Sequence, residues 1–212
     1  MTYAPYRELR EEIANAITHG IGALLCIPGL VFLILQGIQN SSSLYIVSFI
    51  IFGISMLFSY LSSTMLHSLF KTKKAKQVFA ILDHSAIYVL IAGTYTPFVL
   101  ITLNGALGWT LFSIVWGLAI AGIVFKCFFV QRFQLLSTLF YLLMGWLVII
   151  AIKPLYVGLT GVGFALLLTG GVMYSIGAIF YMWRRLPYSH AIWHLFVIAG
   201  SACMYFCVLF YV

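Results

Sequence analysis

The chain has 212 residues, of which 64% are hydrophobic and only 7% are charged, whereas a soluble domain is roughly 25% charged. Its mean hydropathy of +1.12 excludes a soluble globular protein and predicts an integral membrane protein. The net charge of +7 could suit a nucleic-acid partner, but the basic residues lie in the connections between apolar runs. We therefore expect no nucleic-acid partner.

The apolar runs, taken in chain order, are each long enough for a membrane-spanning helix, which needs about 20 mostly apolar residues. They predict an all-α, seven-transmembrane-helix bundle that forms a single domain over residues 1–212. The first run follows acidic residues rather than the basic start of a signal peptide, so we interpret it as a permanent helix. The seven predicted helices lie near residues 17–37, 44–66, 80–101, 109–130, 134–152, 159–183 and 190–211.

The basic residues alternate along this series of helices. Of the 11 lysines and arginines, all but Lys153 precede the first run or lie in the last turns of, or just after, the second, fourth or sixth run. Positively charged connections stay in the cytoplasm. The pattern predicts a multi-pass protein of the plasma (inner) membrane with its N-terminus in the cytoplasm and its C-terminus outside.

The histidines all fall within about two helical turns of the predicted cytoplasmic face, at a rise of about 1.5 Å per residue. Ionisable groups are costly in a bilayer and usually functional there. His190 and His194 are four residues apart and project from one face of the seventh helix, a common arrangement for two metal ligands. His67, at the same depth in the second helix, is the best third ligand. Three protein ligands with one open position are typical of catalytic zinc.

Two further polar residues are expected beside these histidines. Asp83 opens the third helix, where it could bind or orient a metal-bound water or act as a general base. Ser63 lies one turn before His67 on the same face. His84 points about 100° away from Asp83 around the helix, so we expect it to form hydrogen bonds rather than to bind a metal.

The residues alone leave alternatives open. A single intramembrane histidine is more often a packing or hydrogen-bonding group than a ligand, and the same side chains could relay protons. Imidazole ligands suit zinc but also tolerate copper, iron or nickel. Near the start of the chain, the spacing of Glu12, Asn15 and His19 places them on roughly one face of a helix. They are either a group of functional residues or a helix N-cap followed by a histidine at the membrane interface.

Five segments together resemble the hemolysin III family, the bacterial branch of the progestin and adipoQ receptor superfamily, which also resembles the alkaline ceramidases. The similarity extends over essentially the whole chain, from about residue 7 onward. The segments are E-E-I-A-N-A-I-T-H-G at 11–20, S-S-T-M-L-H at 62–67, L-D-H-S-A-I-Y at 82–88, A-G-T-Y-T-P at 92–97 and H-A-I-W-H at 190–194.

This resemblance implies a seven-helix fold with a cytoplasmic N-terminus and a zinc ion near the cytoplasmic face. It assigns His67, His190 and His194 as zinc ligands, Asp83 to the metal-bound water and Ser63 to the family's serine position. The family's E-x-x-N-x-x-x-H signature, whose role is less clear, corresponds to Glu12, Asn15 and His19.

The function that these expectations favour is zinc-dependent hydrolysis of a lipid amide or ester, with a membrane lipid as substrate or ligand and a role in membrane-lipid homeostasis. One alternative is a non-enzymatic membrane-stress or sensor protein whose zinc is structural or regulatory. The others are a cytolytic protein, as the family name suggests, and a channel or proton transporter. The sequence offers little support for secretion.

Overall fold

The computed structural model describes residues 3–69, 73–183 and 185–212, and over these residues the chain is helical without any strand. Six helices among them are long and apolar enough to cross a membrane. In chain order the elements are α1 (Tyr3–Gln39), α2 (Ser43–Ser68), α3 (Lys73–Pro97), a π-helical segment (Phe98–Leu103), α4 (Gly105–Phe129), α5 (Gln134–Trp146), a 3-10 segment (Leu147–Ala151), α6 (Ile152–Met182) and α7 (Ser189–Tyr211).

Four basic residues on which the predicted orientation depends lie wholly or partly outside the described residues. Lys71 and Arg184 lie outside the described residues, as do the side chains of Arg7 and Lys73. The orientation of the termini therefore still depends on the charge pattern of the sequence.

Helix α1 begins at Tyr3, well before the apolar run that was predicted near residue 17. Glutamate and arginine are good helix formers, so the helix continues where the apolar composition ends. Hydropathy marks only the apolar part of such a helix. As a result, Glu12, Asn15 and His19 lie on one continuous helix.

The segment 134–182 is continuous in apolar helical structure over 49 residues, where the sequence predicted two helices. A straight α-helix of this size would be about 74 Å long, more than twice the roughly 30 Å of a bilayer's hydrocarbon core. The segment is not straight, because Thr160 has a left-handed backbone with φ 62° and ψ 175°.

Two hydrogen bonds show how this segment folds back on itself. The Thr138 hydroxyl donates to Met182 Sδ at 3.6 Å, and Trp146 Nε1 donates to Ser175 Oγ at 3.0 Å. The later residue of α5, Trp146, thus pairs with the earlier residue of α6, Ser175. The two ends of the segment therefore lie antiparallel.

The outer surface of the bundle is apolar. Large side chains such as Val157 (79% exposed) and Phe128 (76% exposed) face outward. Polar side chains lie inside instead, among them Ser63, Asp83 and His194. An apolar exterior around helices that satisfy their own backbone hydrogen bonds is the arrangement that a bilayer requires.

Helix α7, which carries two of the candidate ligands, packs closely against α6. A Cβ atom added at Gly170 would lie 3.1 Å from the Gly200 carbonyl oxygen and 2.8 Å from the Met204 methyl carbon. Only glycine leaves room for this approach. The contact fixes the position of α7 relative to α6.

Candidate metal centre

Three imidazoles meet where the end of α2 packs against the start of α7. His67 lies in the last turn of α2, and His190 and His194 lie near the start of α7. One ring nitrogen from each lies within 4.8 Å of the others, so the group could hold one metal ion. The ring centroids are 4.6 to 5.4 Å apart.

The Nε2 atoms of these three histidines are all buried and lack a hydrogen-bond partner among the residues that the structure describes. Buried polar atoms are normally paired, because an unpaired one loses its hydration without compensation. Three histidines that each bring one ring nitrogen within 4.8 Å of the others form a donor set that suits zinc, which is commonly bound by histidine nitrogen. The residues present therefore fit the ion that the family resemblance implies.

Hydrogen bonds at the opposite ring nitrogens indicate which tautomer two of the three histidines adopt. His67 Nδ1 lies 2.5 Å from Glu12 Oε2, and His194 Nδ1 lies 3.2 Å from the Asn15 carbonyl oxygen and 3.0 Å from Thr18 Oγ1. Carboxylate and carbonyl oxygens only accept hydrogen bonds. Both Nδ1 atoms therefore carry the proton, and both Nε2 atoms keep the lone pair that a metal needs.

His19 and Asn15 lie against this three-histidine group. The His19 ring stacks on the His194 ring with centroids 3.4 Å apart and an interplanar angle of 12°. Both His19 nitrogens and the Asn15 side-chain oxygen are buried and unpaired within the described part of the chain. Asn15 thus acts on His194 through its backbone carbonyl rather than through its side chain.

Asp83 is buried on α3, close enough to His84 and His67 for its carboxylate to interact electrostatically with both. The Ser63 side chain lies close to the Asp83 carboxylate, although its Oγ makes no hydrogen bond of good geometry with any described residue. His84 lies outside the three-histidine group: its Nδ1 donates to the Ala80 carbonyl oxygen at 2.8 Å and is 3.8 Å from Asp83 Oδ2.

Sequence reasoning missed two residues of this region. Lys76 donates to Glu12 Oε1 at 2.7 Å, but in the sequence it is one of four clustered lysines whose evident role is to set topology. Thr18, next to His19, contacts His194 Nδ1. Its position three residues after Asn15 on the same helical face was the available signal.

A cavity of about 150 Å³ extends from this region into the bundle. His19 and Asp83 line one end of it, and Leu103, at the far end of the π-helical segment, lines the other. Most of the remaining lining residues are apolar. The cavity therefore joins a polar end beside the histidines to an apolar interior.

Comparison with known proteins matches residues 7–205 to the family described as haemolysin-III related. The chain belongs to this family. It is 63% identical over 204 residues to "Hemolysin-3" of Bacillus cereus, covering 96% of this chain and 93% of that protein. It is 65% identical over 203 residues to the "Hemolysin-3 homolog" of Bacillus subtilis (strain 168), covering 96% and 95%.

A more distant relative is the human "Monocyte to macrophage differentiation factor", 26% identical over 203 residues that cover 93% of this chain and 83% of that protein. The resemblance that the sequence motifs indicated is thus confirmed for the haemolysin-III-related family and supported for the wider superfamily. All nine candidate site residues of this family member lie within the matched range.

Proposed function

We propose that this protein is a zinc-dependent intramembrane hydrolase that cleaves an amide or ester bond of a membrane lipid. The observation that carries the proposal is the group of three buried, unpaired Nε2 atoms beside an apolar cavity. Membership of the haemolysin-III-related family supports the metal and the membrane location.

In this proposal His67, His190 and His194 hold the ion through Nε2. When bound, zinc acts as a Lewis acid that polarises a carbonyl group and makes water easier to deprotonate. Asp83 would accept the proton of the attacking water as general base and then donate it to the leaving amine or alcohol. Ser63, close to the Asp83 carboxylate, would orient it by donating a hydrogen bond when the site is occupied.

The cavity supports a lipid substrate with one acyl chain inside the bundle. Its lining is apolar over most of its length, whereas Asp83 and His19 lie at one end. A lipid carbonyl at that end would be near the general base, and the acyl chain would extend toward Leu103. Apolar cavities with a few polar groups at one end are typical of sites that fix a ligand's orientation.

For the membrane arrangement we infer seven crossings in the cytoplasmic membrane, with the N-terminus inside. The antiparallel contacts of α5 and α6 and the break at Thr160 support two crossings within residues 134–182. The number of crossings can be tested with alkaline phosphatase fused to the C-terminus, because this enzyme is active only outside the cytoplasm. Seven crossings predict an active fusion, and six predict an inactive one.

The test of the hydrolase uses purified protein in vesicles made from the lipids of its own membrane. We expect about one zinc ion per chain and release of free fatty acid. Asp83→Asn should retain the zinc but lose fatty-acid release. Bound zinc without any lipid cleavage would refute the hydrolase and favour a structural or regulatory metal; a folded wild type without zinc would refute the metal itself.

The name of the B. cereus relative, "Hemolysin-3", favours a second candidate function, lysis of foreign membranes. Purified protein added to erythrocytes would then release haemoglobin in proportion to its concentration. An equal amount of Asp83→Asn protein separates the candidates, since lysis by insertion would not require the general base. Absence of lysis at concentrations that give lipid cleavage would exclude the cytolytic function.

A further inference from the structure

Glu12 connects three helices at the edge of the three-histidine group. Its Oε2 accepts the hydrogen bond from His67 Nδ1 on α2 at 2.5 Å, and its Oε1 accepts one from Lys76 Nζ on α3 at 2.7 Å. Glu12 itself belongs to α1. Each carboxylate oxygen thus has a separate, charged or strongly polar partner.

The burial of these groups increases toward the metal centre. The exposed fraction of the side chain is 43% for Lys76, 24% for Glu12 and 9% for His67. Lys76, the most exposed of the three, supplies the positive charge that compensates the partly buried carboxylate. Glu12 can therefore remain ionised while it accepts the His67 proton, and such charge-assisted hydrogen bonds are stronger than neutral ones.

The hydrogen bond also determines what the other side of the His67 ring can do. Imidazole has two nitrogens, and a fixed donor at Nδ1 leaves Nε2 as an acceptor. A carboxylate at this position additionally restricts rotation of the ring and raises the basicity of Nε2. Without Glu12, His67 would be free to exchange tautomers and to turn Nε2 away from His190 and His194.

We propose that Glu12 is a positioning residue of the metal centre, held in place by Lys76, and that it sets the affinity for zinc by fixing the tautomer and orientation of His67. The proposal rests on the metal site of the proposed function. It assigns a role to the glutamate of the E-x-x-N-x-x-x-H signature, a role that the sequence alone left open.

A purely structural role for Glu12 predicts a different result. An ion pair that only joined α1 to α3 would affect folding and would depend on the charge. A positioning role depends instead on the hydrogen-bond acceptor at His67 Nδ1. Glu12→Gln separates the two roles, because the amide keeps an acceptor oxygen at the same side-chain length but removes the charge.

The first experiment measures zinc affinity by competition with a fluorescent chelator in detergent-solubilised protein. We expect Glu12→Ala to weaken zinc binding about 10- to 100-fold, and Glu12→Gln, which keeps the acceptor but not the charge, to recover part of that loss. Glu8→Gln is the matched control, because Glu8 is an exposed carboxylate one turn earlier on α1; its affinity should equal that of the wild type. An unchanged affinity in Glu12→Ala, or equal losses in the alanine and glutamine variants, would overturn the proposal.

The second experiment needs no metal. Nitrogen NMR of histidine-labelled, zinc-free protein reports the tautomer of His67, whose signal is identified by its loss in His67→Gln. Wild type and Glu12→Gln should show the Nδ1–H tautomer, and Glu12→Ala a mixture. A mixture already in the wild type would overturn the proposal.

These measurements also separate failure of this inference from failure of the proposed function. If the wild type binds no zinc, the metal site is refuted, whereas the tautomer comparison still decides the role of Glu12. If circular dichroism shows that Glu12→Ala does not fold, Lys76→Met replaces it. That variant leaves the carboxylate in place but unsupported, so a weaker zinc affinity supports the inference and an unchanged affinity contradicts it.

Discussion

Replacement of His190 by alanine removes one of the three candidate ligands and should nearly abolish zinc binding. Structural zinc sites contribute about 10–16 kcal/mol, so one ligand of three corresponds to about 4 kcal/mol when the total is shared equally. At about 1.4 kcal/mol per tenfold change in affinity, binding should weaken about 1000-fold. We choose His190 rather than His194 because His194 is fully buried and stacked on His19. Its replacement would therefore disturb packing as well as remove a ligand.

The assay combines a chelator competition with thermal unfolding. Zinc at 1000 times its dissociation constant should stabilise the wild type by about 4 kcal/mol, and a chelator should remove that stabilisation. In His190→Ala the same zinc concentration should add well under 1 kcal/mol, and the chelator should have almost no effect.

The control for this prediction is His84→Ala. His84 is a neighbouring histidine near the same membrane face, but its Nδ1 is bonded to its own helix, so its loss should leave zinc affinity within about threefold, or under 1 kcal/mol. The reasoning would be refuted if His190→Ala kept wild-type affinity, or if His84→Ala lost as much as His190→Ala. Either result would mean that the ion is held by a different set of side chains.

Three further predictions follow from the same structure. Asp83→Asn should lower the rate of fatty-acid release by about 100- to 10,000-fold with zinc content unchanged; a rate within tenfold of the wild type would contradict the general-base role. Tyr95→Phe should destabilise the protein by about 1–3 kcal/mol in a denaturation titration, because it removes two hydrogen bonds, one to the Gly145 carbonyl and one from the Val148 N–H, both at 2.7 Å. Gly170→Ala should lower the free energy of unfolding by about 1–3 kcal/mol, because its Cβ would meet α7. The control Gly117→Ala, with nothing within 4 Å of the added Cβ, should be neutral or slightly stabilising. Equal effects at both glycines would show that α6 and α7 do not approach closely.

Much of the all-helical architecture could be predicted from the sequence because membrane helices follow apolar composition directly. The deviations have physical causes. Glu12 and its neighbours are helical without being apolar, so hydropathy could not locate the start of α1. Residues 134–182 form one continuous apolar helical segment, and hydropathy could not place its break at Thr160, which is a matter of local backbone conformation.

The candidate site, like the fold, could be predicted only in part from the sequence. The spacing of His190 and His194 follows from helix periodicity, and depth in the membrane relates His67 to them. Thr18 could have been found from its place on the Asn15 face of α1, but the contact of Lys76 could not be predicted, because it depends on how α3 rotates against α1. A rotation of a few tens of degrees would leave every sequence pattern intact and separate Lys76 from Glu12.

The chemistry of the three Nε2 atoms favours a cation over the other possible occupants of the site. When His190, like His67 and His194, carries its proton on Nδ1, all three Nε2 atoms are acceptors. Each unpaired buried acceptor costs about 1–3 kcal/mol, so three cost about 3–9 kcal/mol, comparable to the roughly 5–15 kcal/mol net stability of a typical protein. A single water has two O–H donors and can satisfy two of the three acceptors. One added proton makes one imidazole a donor to a second and leaves the third unpaired. A divalent cation accepts all three lone pairs at once, and for this reason we favour a metal centre over a proton relay.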